Sequence, residues 1–161
     1  MKIFFYSLAK KILRFSIPVN WLTKPLFRII YSLHVFIREF IIWGLRFFYF
    51  EPLFRSQCVK VGKSLWMEKL PYIVNKGKIL IGDFVRLSGK STINFSTKVF
   101  TNPTLTIGNN TFIGHNVTFS IAREISIGDH CYIAGGVNIA DNDGHPLDYK
   151  KRRDNFPPEK D

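Results

Sequence analysis

Cysteine is nearly missing from this chain: Cys58 and Cys131 are the whole complement in 161 residues. Two such residues make no disulfide framework, so a reducing, cytoplasmic setting is the expectation. A long apolar run is also missing. The uncharged stretches Ile29–Ile37 and Phe47–Phe50 are broken by Arg38, Glu39 and Arg46, which argues against a simple transmembrane helix. Ile3–Ala9 is short and is followed at once by Lys10, Lys11 and Arg14, which does not read as a signal peptide. Acids are scarce at the amino-terminal end: residues 1–55 hold only Glu39 and Glu51 against nine Lys or Arg. That basic excess is diluted by large aliphatic side chains and carries no nucleic-acid motif, so no nucleic-acid partner is expected.

Composition divides the chain in two. The first 55 residues carry a net charge of +7 and 15 of the 25 aromatics, and the remaining 106 carry +4 of the total +11. The boundary falls between Arg55 and Val61. Pro18, Pro25 and Pro52 divide the first part into Lys2–Ile17, a short link, and Leu26–Phe50. On a helical wheel Arg28, Ser32, Glu39 and Arg46 lie within about 40° of one another. A helix with so narrow a polar stripe must bury most of its surface. Two partners suit it: an anionic bilayer interface, where Lys, Trp and Tyr are favoured, or the open end of a following domain that it would cap.

From Val61 onward four stretches superpose: Val61–Ile73, Ile81–Ile93, Ile107–Phe119 and Ile127–Ile139. Each has an apolar residue at positions one, seven and thirteen, and a Gly at position two (Gly62, Gly82, Gly108, Gly128). The blocks start 20, 26 and 20 residues apart. A six-residue period of this kind predicts a parallel β-helix. Each aliphatic points inward and stacks on its counterpart one coil away, and the Gly gives the corner backbone freedom. Asn109, Asn110, Asn116 and Asn138 are expected to accept left-handed corner angles. The residues beyond an 18-residue coil, 94–106 in particular, must bulge or form an irregular side.

The repeat stops at a polar stretch, Asp141-Asn142-Asp143-Gly144-His145-Pro146-Leu147-Asp148, followed by Tyr149 and the basic run Lys150–Arg153. Loops that leave a regular scaffold carry binding and chemistry. Imidazole is the side chain best suited to take a proton near neutral pH. Gly144 and Pro146 restrict where His145 can point, and Asp141 or Asp143 is a candidate to orient its ring or to bind an acceptor. A plain surface His in an exposed turn is the bland alternative. The organisation expected is a helical segment over 1–55, a β-helix over 56–140, and a catalytic-type loop and chain end over 141–161.

The blocks at 61–139, followed by Asn142–Asp148 and a basic run, resemble the hexapeptide-repeat acyltransferases, most of all the O-acetyltransferases that modify bacterial surface polysaccharides. The resemblance implies a left-handed parallel β-helix, a homotrimer, and acetyl-CoA as co-substrate without a metal. It also implies a His in a loop of the D-x-x-H-P type as general base on a sugar hydroxyl, a role it carries onto His145. Lys150–Arg153 are candidates for the nucleotide phosphates. Members of that family continue beyond this loop with further coils that supply much of the pantetheine groove. No further repeat follows Ile139 here, so carboxyl-terminal coils are expected to be missing. The implied acceptor is a sugar or lipid-linked saccharide, with residues 1–50 against the inner face of the membrane.

Two rivals remain on the same fold. One is a non-catalytic β-helix scaffold or trimerisation module. The other is a γ-class carbonic anhydrase-like metalloenzyme, suggested by Ile113-Gly114-His115-Asn116-Val117. Zinc needs three converging ligands, and His115, His130 and His145 fall at unequal positions of the repeat. His34 reads as a packed or interfacial residue, and Trp66 as core or subunit contact.

Overall fold

The structure, a computed structural model, describes residues 10, 13–96, 100–154 and 156. The chain divides into two compact units, Met1–Ile41 and Ile42–Asp161. Most of the expected Lys2–Ile17 element lies outside the described residues, as does most of the tail after Asp154.

In the first unit the chain turns into helix at Asn20. The Asn20 side-chain oxygen accepts from the backbone of Leu22 and Thr23, and the Thr23 hydroxyl accepts from the backbone of Asn20 at 2.9 Å. This reciprocal pair is a capping box in form. Helix α1 follows as Lys24–Leu45, and none of its side chains is buried. Arg38, off the polar stripe, leans back to pair with Glu39 at 2.7 Å.

Pro52 does not stop the helical path at Phe50. A π-helical turn, Arg46–Phe50, leads into helix α2, Glu51–Gln57, with Pro52 in its first turn. A proline ring collides with the carbonyl four residues back in an α-helix. The wider turn avoids that, with the Glu51 N–H reaching the Arg46 carbonyl. Phe54 of α2 is fully buried and joins the core with Leu65 and Met67, and Phe50 packs partly against it. The aromatic segment thus supplies the cap over the first coil from its far end, which is why residues 42–55 group with the β-helix.

Twelve strands follow: β1 Lys60–Val61, β2 Trp66–Met67, β3 Tyr72–Val74, β4 Lys78–Ile81, β5 Arg86–Leu87, β6 Thr92–Phe95, β7 Thr104–Ile107, β8 Phe112–Ile113, β9 Thr118–Ile121, β10 Glu124–Ile127, β11 Tyr132–Ile133 and β12 Asn138–Ala140. They form three parallel four-stranded sheets, β1-β4-β7-β10, β2-β5-β8-β11 and β3-β6-β9-β12. This is a parallel β-helix of four coils. Its register is that of the sequence repeat. Val61 pairs with Ile81, Ile81 with Ile107 and Ile107 with Ile127, and likewise Ile73 with Ile93, Ile93 with Phe119 and Phe119 with Ile139. Within each coil the first two corners keep the six-residue spacing. Every extra residue falls at the third corner, between the third sheet and the next coil of the first.

The inward residues Ile81, Leu87, Ile93, Phe95, Leu105, Ile107, Ile113 and Phe119 are almost fully buried. Burying a side chain of this size is worth roughly 1.5–3 kcal/mol. Ile127, Ile133, Val137 and Ile139 of the fourth coil are only partly covered.

The glycines at position two have a different cause from the one expected. None has a positive φ. They stack: a Cβ on Gly62 would lie 2.6 Å from the Gly82 carbonyl carbon, and one on Gly108 2.6 Å from that of Gly128. At Gly62, Gly82 and Gly108 close coil-to-coil approach, not turn freedom, excludes a side chain, whereas a Cβ on Gly128, in the fourth coil, would come only within 3.9 Å of Cys131 Sγ. The left-handed angles fall instead on Ser64, Phe84, Asn110 and His130 at the first corner, with Asn116, Asn75 and Asn102 elsewhere. Asn109 and Asn138 do not take them. Asn109 joins a cross-coil ladder in which its side chain accepts the Asp83 N–H at 2.8 Å and the Asp83 carboxylate accepts the Lys63 N–H at 2.7 Å.

Candidate functional site

The loop bearing His145 leaves the β-helix at its third corner. The ladder of β12 against β9 runs one residue past Ala140, with the Asp141 N–H on the Ser120 carbonyl at 3.2 Å. The Asp141 carboxylate then folds down onto the coil below. It accepts the backbone N–H groups of Ala122, Arg123 and Glu124 at 2.6, 2.7 and 2.7 Å, and the Asn142 amide at 3.0 Å. Partial burial alone would raise its pKa. The hydrogen bonds from Ala122, Asn142, Arg123 and Glu124 outweigh that and hold it below the usual carboxylate range. Both oxygens are therefore committed to the corner, and the carboxylate serves the scaffold.

Asn142 fixes the start of the loop. Its amide reaches back to the Ser120 carbonyl at 3.1 Å, and its oxygen accepts the Gly144 N–H at 2.9 Å. Gly144 turns the chain with φ +75°, a value that only glycine adopts without strain. Past the His, Pro146 is buried, and its carbonyl accepts from Arg152 Nε at 3.1 Å. Asp148 caps a final turn, α3 (Tyr149–Arg153), by accepting the N–H groups of Lys150 and Lys151. His145 thus stands between two pinned points while its own side chain is exposed. Among the described residues neither His145 nor Asp143 makes a side-chain hydrogen bond. Asp143 lies exposed two residues before the His.

A second polar cluster escaped the sequence reading, apart from its histidine. At the second corner Glu68, Ser88 and His115 stack on successive coils. The Ser88 hydroxyl donates to Glu68 Oε1 at 2.9 Å and meets His115 Nε2 at 3.0 Å, and the Gly89 N–H donates to Glu68 Oε2 at 2.7 Å. The three residue types are those of a hydrolase triad, but the wiring is not. The carboxylate lies on the serine, and His115 Nε2 is 3.6 Å from Glu68 Oε2. A triad needs the carboxylate on the far ring nitrogen, orienting the base, and Ser88 is only 3% exposed. The cluster ties three coils together.

The histidines weighed as zinc ligands lie on different edges: His130 at the first corner, His115 at the second, His145 in the loop from the third. Among the described residues no group of three His, Cys, Asp or Glu side chains comes together to hold a metal ion. Cys58 and Cys131 are free thiols. Burial pushes the Cys58 thiol up to about 12, against a smaller opposing pull from Arg55, so it stays a thiol and donates to the Phe54 carbonyl at 3.2 Å.

Trp66 lies outside the core, on the outer face of the second sheet. The Arg86 guanidinium sits 4.2 Å from its ring centroid and 5.7 Å from that of Phe112, and Phe112 stacks on Tyr132 at 5.6 Å. Arg46, from the π-helical turn, approaches the same indole at 5.6 Å. Among the described residues no helix is long and apolar enough to cross a membrane. Comparison with known proteins finds no matching family model, no matching curated protein and no matching solved structure.

Proposed function

We propose that the β-helix is left-handed and that the protein is an O-acyltransferase moving an acetyl group from acetyl-CoA to a sugar hydroxyl in surface-polysaccharide synthesis. The observation that carries this reading is the presentation of His145. An exposed imidazole is held between the Asn142–Ser120 and Arg152–Pro146 contacts, at the point where the repeat gives way to a loop. The resemblance of that loop to those of the hexapeptide-repeat acyltransferases supports it, although Asn142 stands where a D-x-x-H-P loop has its acid.

In the proposed reaction His145 takes the proton from the acceptor hydroxyl. The oxygen forms its new bond to the thioester carbonyl carbon, the carbon–sulfur bond breaks, and the imidazolium returns the proton to the leaving thiolate. The products are the O-acetyl ester and free CoA. Asp143, with no structural duty among the described residues, is the carboxylate left to orient the ring or to receive the acceptor. Asp141 is not assigned that role here.

The same proposal covers assembly and location. A homotrimer would bring the outer sheet faces, including the Trp66–Arg86–Phe112–Tyr132 column, against other copies. The exposed apolar side chains of α1 suit an anionic membrane surface beside a lipid-linked acceptor.

The test is transfer of labelled acetyl from acetyl-CoA to a panel of sugars by the parent chain and by His145→Ala. Removal of a general base should lower the rate by about 10²–10⁴. Equal rates in the two proteins would sink the assignment of His145.

A further inference from the structure

The third corner holds a cleft that the proposed reaction does not use. The chain crosses it first at Lys76-Gly77-Lys78, then at the long insertion ending in Pro103, then at Ala122-Arg123, and last at Asp141. Lys76, Gly77, Lys78, Phe100, Thr101 and Asn102 line an open cleft of about 370 Å³. Its floor is set by core packing. A Cβ on Gly77 would collide with the Phe95 ring, so the backbone passes tight over that buried ring with a lysine on each side. The rim is set by the insertion. Asn102 takes φ +65° and the Lys78 N–H bonds the Pro103 carbonyl at 2.8 Å. From the coil above, the Arg123 guanidinium lies 5.9 Å from the Phe100 ring centroid.

The charges here are of one sign. Two ammonium groups line the cleft, a guanidinium stands beside it, and no acid is among the described lining residues. The acid in the column of Lys78 is Glu124, two rungs away through Thr104, about 10 Å at the usual strand spacing. Asp141 is committed to backbone N–H groups. Lysine ammonium groups without balancing carboxylates match phosphate oxygens as point charges, and the Phe100 ring offers an apolar wall.

We propose that this cleft is a binding site for a phosphate-bearing ligand group, with the phosphate at Lys76 and Lys78 and the adjoining organic part against Phe100. Two sources share that chemistry under the function proposed above: the nucleotide end of the acyl donor, and the phosphate of a nucleotide- or lipid-linked saccharide. Both place a long ligand along the third corner, toward the loop that presents His145. This assigns the phosphate contact to Lys76 and Lys78, where the first coil passes into the second, and not to Lys150–Arg153, where Arg152 is already engaged with Pro146.

The experiment is calorimetric binding of adenosine 3′,5′-bisphosphate and of uridine diphosphate to the parent chain, Lys76→Glu/Lys78→Glu, Phe100→Leu and His145→Ala. Both lysines are exposed, and circular dichroism checks that the variants keep the parent fold. The expected result is saturable, salt-sensitive binding that the double reversal weakens by tenfold or more, on the order of one or two charge-assisted contacts. Phe100→Leu should weaken it less, and His145→Ala should leave it unchanged. Tighter binding of the bisphosphate assigns the cleft to the donor, and tighter binding of uridine diphosphate to the acceptor. Absence of saturable binding of either probe, or undiminished binding by the folded double variant, overturns the proposal. Acetyl transfer that needs His145 but is indifferent to the lysines would remove the cleft and leave the acyltransferase reading standing. Phosphate binding without any transfer would do the reverse.

Discussion

The Asp141 carboxylate accepts the backbone N–H of Arg123 at 2.7 Å, one coil beneath it. With the bonds to Ala122 and Glu124 it gathers three successive backbone N–H groups of that corner. Replacing Asp141 with Ala should cost on the order of 1 kcal/mol, as loss of a side-chain cap does, and should loosen the start of the His145 loop. The sign with pH follows from the lowered pKa. The stabilisation is fully present above the ordinary carboxylate pKa and is lost as pH falls through the depressed folded value. Thermal unfolding of parent and Asp141→Ala should therefore differ at neutral pH and converge in acid. A gap that persists at low pH would contradict this.

Phe54 is the plug of the first coil. Phe54→Ala should destabilise the chain by about 3–5 kcal/mol, the usual cost of emptying a buried phenylalanine site. Denaturant titration reads this directly. A loss near that of a surface substitution would mean that α2 does not close the core.

Phe84 sits at φ +56° with 58% of its surface exposed. A bulky side chain in the left-handed region costs about 1–2 kcal/mol and gains little from burial here. Phe84→Asn should raise the unfolding midpoint, because Asn110 holds the matching position one coil away with φ 53°. A lower midpoint would show that the Phe84 ring has a packing partner in the assembled protein.

Removal of residues 1–41 leaves Phe50 and Phe54 in place over the first coil. The shortened chain should keep the β-strand signature in circular dichroism and lose its sedimentation with anionic vesicles. Binding by the full chain should weaken as salt is raised, since each basic residue near such a surface contributes about 1 kcal/mol that ions screen. Co-sedimentation of the shortened chain would place the membrane contact elsewhere.

The strand registers were legible because they repeat one local rule. Ile107 over Ile81 is the same fact as Ile-Gly recurring along the chain, and even the 26-residue gap keeps its phase. The His145 loop was legible because the rule stops there. What was hidden depends on pairs brought together across coils. Glu68, Ser88 and His115 lie 20 and 27 residues apart along the chain, and although the repeat stacks Glu68 on Ser88, nothing in it says that their side chains meet each other and His115. Asp141 looked like a partner for His145 because it is near in sequence, yet its oxygens find closer donors one coil down. The glycines were placed correctly for the wrong reason, since sequence alone cannot separate a turn angle from a tight approach. Pro52 read as a stop, while a single wide turn lets the helix absorb it.

All the length variation of the coils is gathered on one edge. The spacing between the first and second sheets, and between the second and third, never changes, so those two edges set a fixed rhythm for the stack. The remaining edge behaves like the open side of a bookbinding, where leaves of different size can be added without disturbing the spine. A surface loop can lengthen at small entropic cost. Changing the residues between Phe95 and Thr104 therefore offers a way to reshape the cleft proposed as a phosphate site while every core contact stays in register.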